Sequence, residues 1–495
     1  MSYSDQQRLI VVSNRLPIAL KWMDDHWEVN PGSGGLVTAL APVLGKRGGI
    51  WVGWPGTDVE ADVSAPLDRF SREQGYDLVP VPLSASDVQG YYEGFSNAVL
   101  WPLFHDFHTH CNFQPDFWRT YETVNSRFAE RIQSVARDDD YIWVHDYHLM
   151  SVARKLRESG GKRQCGFFLH IPFPAPDTFM KLPWRRELVR DLLSFDLVGM
   201  QTQRDVSNFV HVMRSLCSDV ETEGGRNFQR VSCGPLSTKV GAFPISIDFN
   251  AFEKQASSRE VSQRTASLNR LHANRQILLG IDRLDYTKGI PARLEALRQA
   301  LLHYPDLQGK ISLVQVVVPS REHVPEYQKL KVEIERLVGE INGQFTTPGW
   351  IPIHYLYRSL PREELISFYR FADMALVTPL RDGMNLVAKE YCACNYREDG
   401  VLILSEFAGT AAQFFEHAIL VNPYDVEGMA RAIRQGYYMP REERRHRMRA
   451  LRNQVAGADI HWWVDSFLHA TEQDPKSGGP LSVQSLHYLA SEEVF

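Results

Sequence analysis

Long apolar runs are missing from this sequence. No stretch approaches the roughly 20 residues that a membrane-crossing helix needs. The start, "MSYSDQQRLIVVSNR", holds only a four-residue run, too short for a secretory leader. Cysteine is scarce and unpatterned. Six residues (Cys111, Cys165, Cys217, Cys233, Cys392 and Cys394) make no CxxC set, and the CxC of Cys392 and Cys394 is a poor chelate on a helix. All six are expected to be buried structural residues, and a reducing cytoplasm is the expected compartment. Positive charge is not in excess either. Lys plus Arg number 54 against 60 Asp plus Glu, a net −6, which argues against a general nucleic-acid binder.

What is present is an alternation. "RLIVVS", "GIWVGW", "YIWVHD" and "CGFFLHIPF" are short Val/Ile/Leu-rich runs, and after about residue 275 "ILLGID", "ISLVQVVVP", "IPIHYLY", "MALVTP" and "VLILSEF" repeat the pattern. Helix-period segments such as "PARLEALRQALLHYP" lie between them. Continuous apolar strands alternating with amphipathic helices mean parallel sheets covered on both faces. Two series in 495 residues mean an α/β protein of two doubly wound, Rossmann-like domains. The boundary is expected in "GAFPISIDFNAF", giving domains 1–245 and 246–457, then a helix at 458–472 and a mobile tail at 473–495. Trp462 and Trp463 are expected to pack a core or a domain seam.

Ligands of open α/β sheets bind beyond the carboxyl ends of the strands, so the residues that matter should stand there. The first series ends strands in "SNRLP" with Arg15, in "WVHDYHLM" with Asp146, and in "FFLHIPFP" with His170. The loop "NPGSGGL" carries Gly32, Gly34 and Gly35. It permits close backbone approach but matches neither the dinucleotide nor the nucleoside-triphosphatase motif. Tyr92 and Trp101 lie in "YYEGFSNAVLWPLFH" and read as core aromatics by themselves. The second series supplies Arg283 and Lys288 in "GIDRLDYTKG" and Arg321 in "VVVPSRE". Arg and Lys just beyond one strand suit a diphosphate, one as a fork and one as a point charge.

"TPLRDGMNLVAKEY" completes the set. Asp382, Gly383 and Met384 turn the chain after a strand, and Asn385 stands near the start of a helix. The N–H groups of Asn385, Leu386 and Val387 should point out of that helix start as an anion site. Glu390 follows Asn385 by five residues, about 7.5 Å along the axis, within reach of a ribose diol. The constellation suits a nucleotide sugar, with Asp382 on sugar hydroxyls. Metal is not called for. His145 and His148 lack a third ligand at usual spacing. Asp138, Asp139 and Asp140 form a D-x-D, but at the wrong strand end, where it reads as a solvated turn.

These residues carry a recognisable order. "VVSNRLP", "GGL", "WVGWPG", "FSNAVLWPLFH", "HDYHLM", "GFFLHIPFP", "RLDYTKG", "INGQF", "TPLRDGMNLVAKEY" and "LSEFAG" run from residue 11 over most of the chain. The sequence resembles the retaining glycosyltransferases of the trehalose-6-phosphate synthase family. The resemblance implies a GT-B fold, with two Rossmann-like domains facing a cleft and a final helix crossing back to the first. It also implies transfer of glucose from UDP-glucose to glucose 6-phosphate without metal or cofactor. By that resemblance Arg15, Tyr92, Trp101 and Arg321 contact the acceptor, and Asp146 stands beside its hydroxyl. His170 and Asp382 contact the donor glucose. Gly34, Gly35, Arg283, Lys288, Gly383, Met384, Asn385, Leu386, Val387 and Glu390 hold the donor. The chemistry would fall to Asp146, His170, Arg283, Lys288 and Asp382. The loop between Arg15 and Gly34 is longer than in the shorter bacterial forms, which bears on donor choice. Glucosylglycerol-phosphate synthases share the C-terminal motifs but not "SNRLP". A sugar-phosphate sensor without turnover is the non-enzymatic alternative, and donor-loop-divergent pseudo-glycosyltransferases are a remote third. A homo-oligomer is compatible with the sequence, and a membrane or nucleic-acid partner is not expected.

Overall fold

Most of the strand-forming runs are apolar on both faces, which suits strands of a sheet covered on both sides. In the computed structural model, residues 7–473 are described, apart from 24–25, 33–34, 58–61, 226–227, 273–274 and 323. The chain divides into two units. One takes the chain up to Ile245 together with the segment beginning at His461, and the other takes Ser246–Ile460.

The first unit holds β1 (Leu9–Arg15), β2 (Ile18–Met23), β3 (His26–Pro31), β4 (Gly49–Trp54), β5 (Asp77–Pro80), β6 (Tyr141–His145), β7 (Cys165–Phe168), β8 (Leu197–Met200), β9 (Val220–Gly224), β10 (Phe228–Cys233) and β11 (Leu236–Ala242). Nine of these form one sheet in the order β5-β4-β1-β6-β7-β8-β11-β10-β9. It is parallel through β11 and antiparallel at β10 and β9. The remaining pair, β2 and β3, is an antiparallel hairpin. The second unit holds β12 (Gln276–Arg283), β13 (Ile311–Val318), β14 (Ile353–Tyr357), β15 (Met374–Val377), β16 (Val401–Ser405) and β17 (Ile419–Val421). They form a wholly parallel sheet, β14-β13-β12-β15-β16-β17.

The parallel part of each order reverses once. In the first unit the chain runs outward from β1 to β5, then restarts beside β1 with β6. In the second it runs outward from β12 to β14, then restarts beside β12 with β15. A crevice opens at such reversals, beyond the carboxyl ends of the two strands. Arg15 ends β1, Asp146 follows β6, Arg283 ends β12, and Thr378 follows β15.

The last helix, Ile460–Ala470, covers the first unit's sheet. Gly166 and Gly199 make room for it. A Cβ on either would lie 2.9 or 2.7 Å from the Phe467 ring. That ring stacks on Trp143 at 4.4 Å, and buried Trp463 donates its indole N–H to the Phe243 carbonyl at 3.1 Å.

The structure corrects three expectations. Cys217 and Cys233 are joined in a disulfide rather than separately buried. The strand register sets Cys233 opposite Val220, three residues beyond Cys217, a closeness that spacing along the chain does not reveal. Asp140 is not solvated. It is 1% exposed and paired with Arg8 at 2.6 Å. The long loop after Arg15 is largely the β2–β3 hairpin. Of the expected tail only Gln473 is described, and Gly34 also lies outside the described residues.

Candidate active site

At the first reversal, the buried polar residues of "SNR" build a support for Arg15. Trp51 donates its indole N–H to Ser13 Oγ at 2.8 Å, and Ser13 donates to the Arg15 carbonyl at 2.6 Å. Tyr91 donates to Asn14 Oδ1 at 3.0 Å. The Arg15 guanidinium lies 4.6 Å over the Trp54 ring, a cation–π contact that orients it while leaving its N–H edge available. Gly56, at φ 87°, lies alongside. A Cβ there would come within 3.0 Å of Arg15 Nη1.

Asp146 has φ 76°, a region that a non-glycine residue holds only when its surroundings impose it. Its Oδ1 accepts the His170 N–H at 3.2 Å, which ties the ends of β6 and β7 together. His145 Nδ1 and His170 Nε2 are 3.2 Å apart. Burial depresses His170 to about 3 and His145 well below its usual value, so both imidazoles are neutral. His145 therefore faces His170. His148 stacks instead on Tyr92, with ring centroids 5.8 Å apart and planes 13° apart.

Tyr92 and Trp101 meet the same short segment. Trp101 lies 5.9 Å from Tyr147, the neighbour of His148. Residues Val88–Leu100 wind as a π-helix, and the Trp101 N–H reaches the Ser96 carbonyl five residues back. Nine residues are two and a half turns of α-helix, which would place Tyr92 and Trp101 on opposite sides. The wider winding takes close to two turns and brings them to one side.

At the second reversal, the 3₁₀ turn Tyr286–Lys288 follows β12. Gly289 lets the loop after β15 lie on it. Its φ is 64°, and a Cβ would meet the Thr378 carbonyl at 2.5 Å. Fully buried Arg293 locks the join. It pairs with Asp282 at 2.5 Å, donates Nε–H to Thr378 Oγ1 at 2.9 Å, and donates Nη2–H to the Lys288 carbonyl at 3.4 Å.

Lys288 Nζ pairs with Asp382 Oδ2 at 2.5 Å, and Asn385 Nδ2 donates to the same oxygen at 3.0 Å. Two residues expected on different parts of a donor thus hold one another. The helix Leu386–Cys394 begins after Asn385, whose φ is 71° and whose side chain caps nothing, so its first N–H groups and positive dipole end are uncovered by a cap. On that helix Glu390 accepts from the Tyr369 hydroxyl at 2.6 Å. Burial raises its pKa, and the Tyr369 hydrogen bond opposes this.

Two features escaped the sequence reading. Lys389, beside Glu390, is 1% exposed, and burial pushes it down to about 7. The segment after β16, "EFAGT", clasps the donor loop. Asp382 N–H donates to the Phe407 carbonyl at 3.2 Å, Gly409 N–H to the Asp382 carbonyl at 3.2 Å, and Thr410 Oγ1–H to the Met384 carbonyl at 2.9 Å. Its presence among the ordered motifs was the only signal of this. Among the described residues the one cluster of candidate ligand atoms, Cys217, Asp219 and Cys233, has both of its sulfurs joined in the disulfide, so it offers a metal no thiolate.

Comparison with known proteins finds relatives over most of the chain. The model of glycosyltransferase family 20 matches residues 7–473. A trehalose-6-phosphate synthase of Mycolicibacterium gilvum is 45% identical over 474 residues, 93% of each chain. That of Mycobacterium tuberculosis is 44% identical over 472 residues, 93% of this chain and 94% of the other. Among solved structures, a UDP-forming α,α-trehalose-phosphate synthase of Burkholderia xenovorans in complex with glucose 6-phosphate superposes with a TM-score of 0.85. It is 33% identical and covers 94% of this chain and 100% of its own. An E. coli structure bound with UDP-2-fluoro glucose gives a TM-score of 0.83 at 35% identity, again covering 94% and 100%.

Proposed function

Since this chain belongs to glycosyltransferase family 20 and has its GT-B fold, we propose that it transfers glucose, with retention, from UDP-glucose to glucose 6-phosphate. The products are α,α-trehalose 6-phosphate and UDP. The observation that carries this reading is the pair of topological reversals, each furnished with one half of the chemistry. Arg15, Asp146, Tyr92 and Trp101 stand at the first, and Arg283, Lys288, Asp382 and the uncapped helix at the second.

In this reading Arg283, Lys288 and the first N–H groups of Leu386–Cys394 take the diphosphate, and Glu390 takes the ribose. Gly35, Gly383 and Met384 offer backbone to the donor, while neutral His170 and Asp382 meet the glucose. The Lys288–Asp382 ion pair of the free enzyme would then part, each member passing to its own portion of the donor. Arg15 and Arg321 fork onto the acceptor phosphate, and Tyr92 and Trp101 wall its ring. The acceptor hydroxyl attacks the anomeric carbon on the face the diphosphate leaves. The C–O bond to the diphosphate breaks as the new glycosidic bond forms, and a departing phosphate oxygen takes the hydroxyl proton. Positioning and charge stabilisation supply the rate. The fixed cations make a divalent ion unnecessary for charge. The cytoplasm, where the sequence reading places the chain, belongs to this proposal; among the described residues no helix is long and apolar enough to cross a membrane.

The test is a screen of UDP-, ADP- and GDP-glucose against glucose 6-phosphate and glycerol 3-phosphate, followed by nucleoside diphosphate release. UDP-glucose with glucose 6-phosphate should give the highest kcat/KM. A preference for glycerol 3-phosphate would assign the chain to glucosylglycerol-phosphate synthesis, and no turnover with any pair would leave the sensor reading.

A further inference from the structure

Asp285 stands two residues beyond β12 and is 2% exposed, although nothing in the proposed chemistry touches it. Its two oxygens serve different neighbours. Oδ1 accepts from the Thr287 N–H at 3.0 Å and the Thr287 hydroxyl at 2.9 Å, which fixes the turn that ends in Lys288. Oδ2 accepts from the Tyr327 hydroxyl at 3.4 Å. The Tyr327 oxygen in turn accepts from Arg321 Nη1 at 2.5 Å, and Arg321 Nη1 is 4.0 Å from Asp285 itself.

Arg321 needs such support. Its φ is 49°, which an arginine adopts only under constraint from its surroundings. Its guanidinium carbon lies 5.4 Å from the centroid of the Tyr327 ring, and that ring is held edge-on by Tyr286 at 5.6 Å. Burial works against ionisation of Asp285, but Arg321, Arg283 and Lys288 together outweigh it and keep the carboxylate charged. A capping role would use Oδ1 alone. It would not explain a buried carboxylate that faces three cations.

We propose that Asp285 is a positioning residue shared by two phosphate sites, setting Lys288 through the Tyr286–Lys288 turn and Arg321 through Tyr327. This rests on the reading above, in which Lys288 takes the donor diphosphate and Arg321 the acceptor phosphate. Neither Asp285 nor Tyr327 touches substrate. Removing the Tyr327 hydroxyl frees Arg321 alone, whereas neutralising Asp285 loosens both cations.

The experiment measures kcat/KM for glucose 6-phosphate and for unphosphorylated glucose at saturating UDP-glucose, with UDP affinity by calorimetry. The proteins are the parent, Tyr327→Phe, Asp285→Asn and Arg321→Ala. Tyr327→Phe keeps the ring and its packing. It should reduce the preference for the phosphorylated acceptor by about fivefold, the effect of one ordinary hydrogen bond. The loss should fall in KM for glucose 6-phosphate, with glucose turnover and UDP affinity unchanged. Asp285→Asn should lower the same preference and weaken UDP as well. A structural role alone would depress both acceptors equally. Equal depression, or an unchanged preference in Tyr327→Phe, overturns the proposal, and this variant decides even if Asp285→Asn does not fold. Arg321→Ala separates the two levels. If it leaves the preference intact, the acceptor reading fails. If it abolishes the preference while Tyr327→Phe does not change it, only the positioning role fails.

Discussion

Gly409 offers a direct test of the donor loop, because it touches that loop through backbone alone. A Cβ at Gly409 would lie 1.9 Å from the Gly383 carbonyl oxygen, 2.8 Å from the Gly383 carbonyl carbon and 3.0 Å from Met384 Cα. Ordinary contact begins near 3.4 Å, so Gly409→Ala must drive the two backbones apart by about 1.5 Å. No side chain can swing away to relieve this. The displaced peptide lies between Asp382 and the start of the helix Leu386–Cys394, the two elements assigned to sugar and diphosphate. A misplacement of about 1 Å costs on the order of a hundredfold in rate, or about 2.7 kcal/mol. Gly409→Ala should therefore lower kcat/KM for UDP-glucose by at least about a hundredfold and weaken UDP binding. Overpacking of about 1–3 kcal/mol should also lower the Tm by several degrees. Gly343→Ala is the control, since a Cβ in that helix meets nothing within 4 Å. It should leave kinetics untouched and hold or raise the Tm. Parent-like kinetics in Gly409→Ala, with UDP affinity intact, would refute the argument.

The cation clamp predicts that Arg283→Ala and Lys288→Ala each cost at least about tenfold in kcat/KM, because a hydrogen bond to a charged group contributes roughly 1.5–3 kcal/mol; steady-state kinetics of both variants check this. Glu390→Gln should weaken UDP in a calorimetric titration more than it changes the acceptor KM, and unchanged UDP affinity counts against the ribose assignment. Buried His170, held near 3, stays neutral in the fold while the unfolded chain takes up a proton near pH 6.5. Its contribution is complete above about pH 6.5 and is lost as pH falls from there toward 3, with a slope of up to about 1.4 kcal/mol per pH unit. Denaturant unfolding at several pH values should thus show a shallower acid decline in His170→Asn; an identical slope removes the basis for a buried neutral imidazole.

The parallel sheets were legible because their strands announce themselves as apolar on both faces, and the reversals placed Arg15, Asp146, Arg283 and Asp382 where such strands end. Residues whose role depends on a distant partner were not legible. Arg293 sits inside "PARLEALRQALLHYP" and looks like any polar position of an amphipathic helix, yet it is fully buried because Asp282, Thr378 and the Lys288 carbonyl satisfy its donors. Asp140 reads as one of three solvated acids until Arg8, from the other end of the unit's first 140 residues, is seen against it. The winding of Val88–Leu100 was equally hidden. Its composition is compatible with an ordinary helix, and only the i to i−5 hydrogen bonding brings Tyr92 and Trp101 to one side.

The last helix has a consequence for synthesis of the chain. Residues 246–460 form a continuous stretch of the second unit, whereas the first unit is completed only when Trp463 and Phe467 cover Trp143, Gly166 and Gly199. At 5–20 residues per second, about 10–40 s separate the emergence of Ile245 from that of His461. For that interval the patch around Trp143, Gly166 and Gly199, on β6, β7 and β8, lacks its cover. The half made first is thus finished last, and chaperone demand during translation should concentrate there. Expression of residues 1–245 alone would make that exposure permanent.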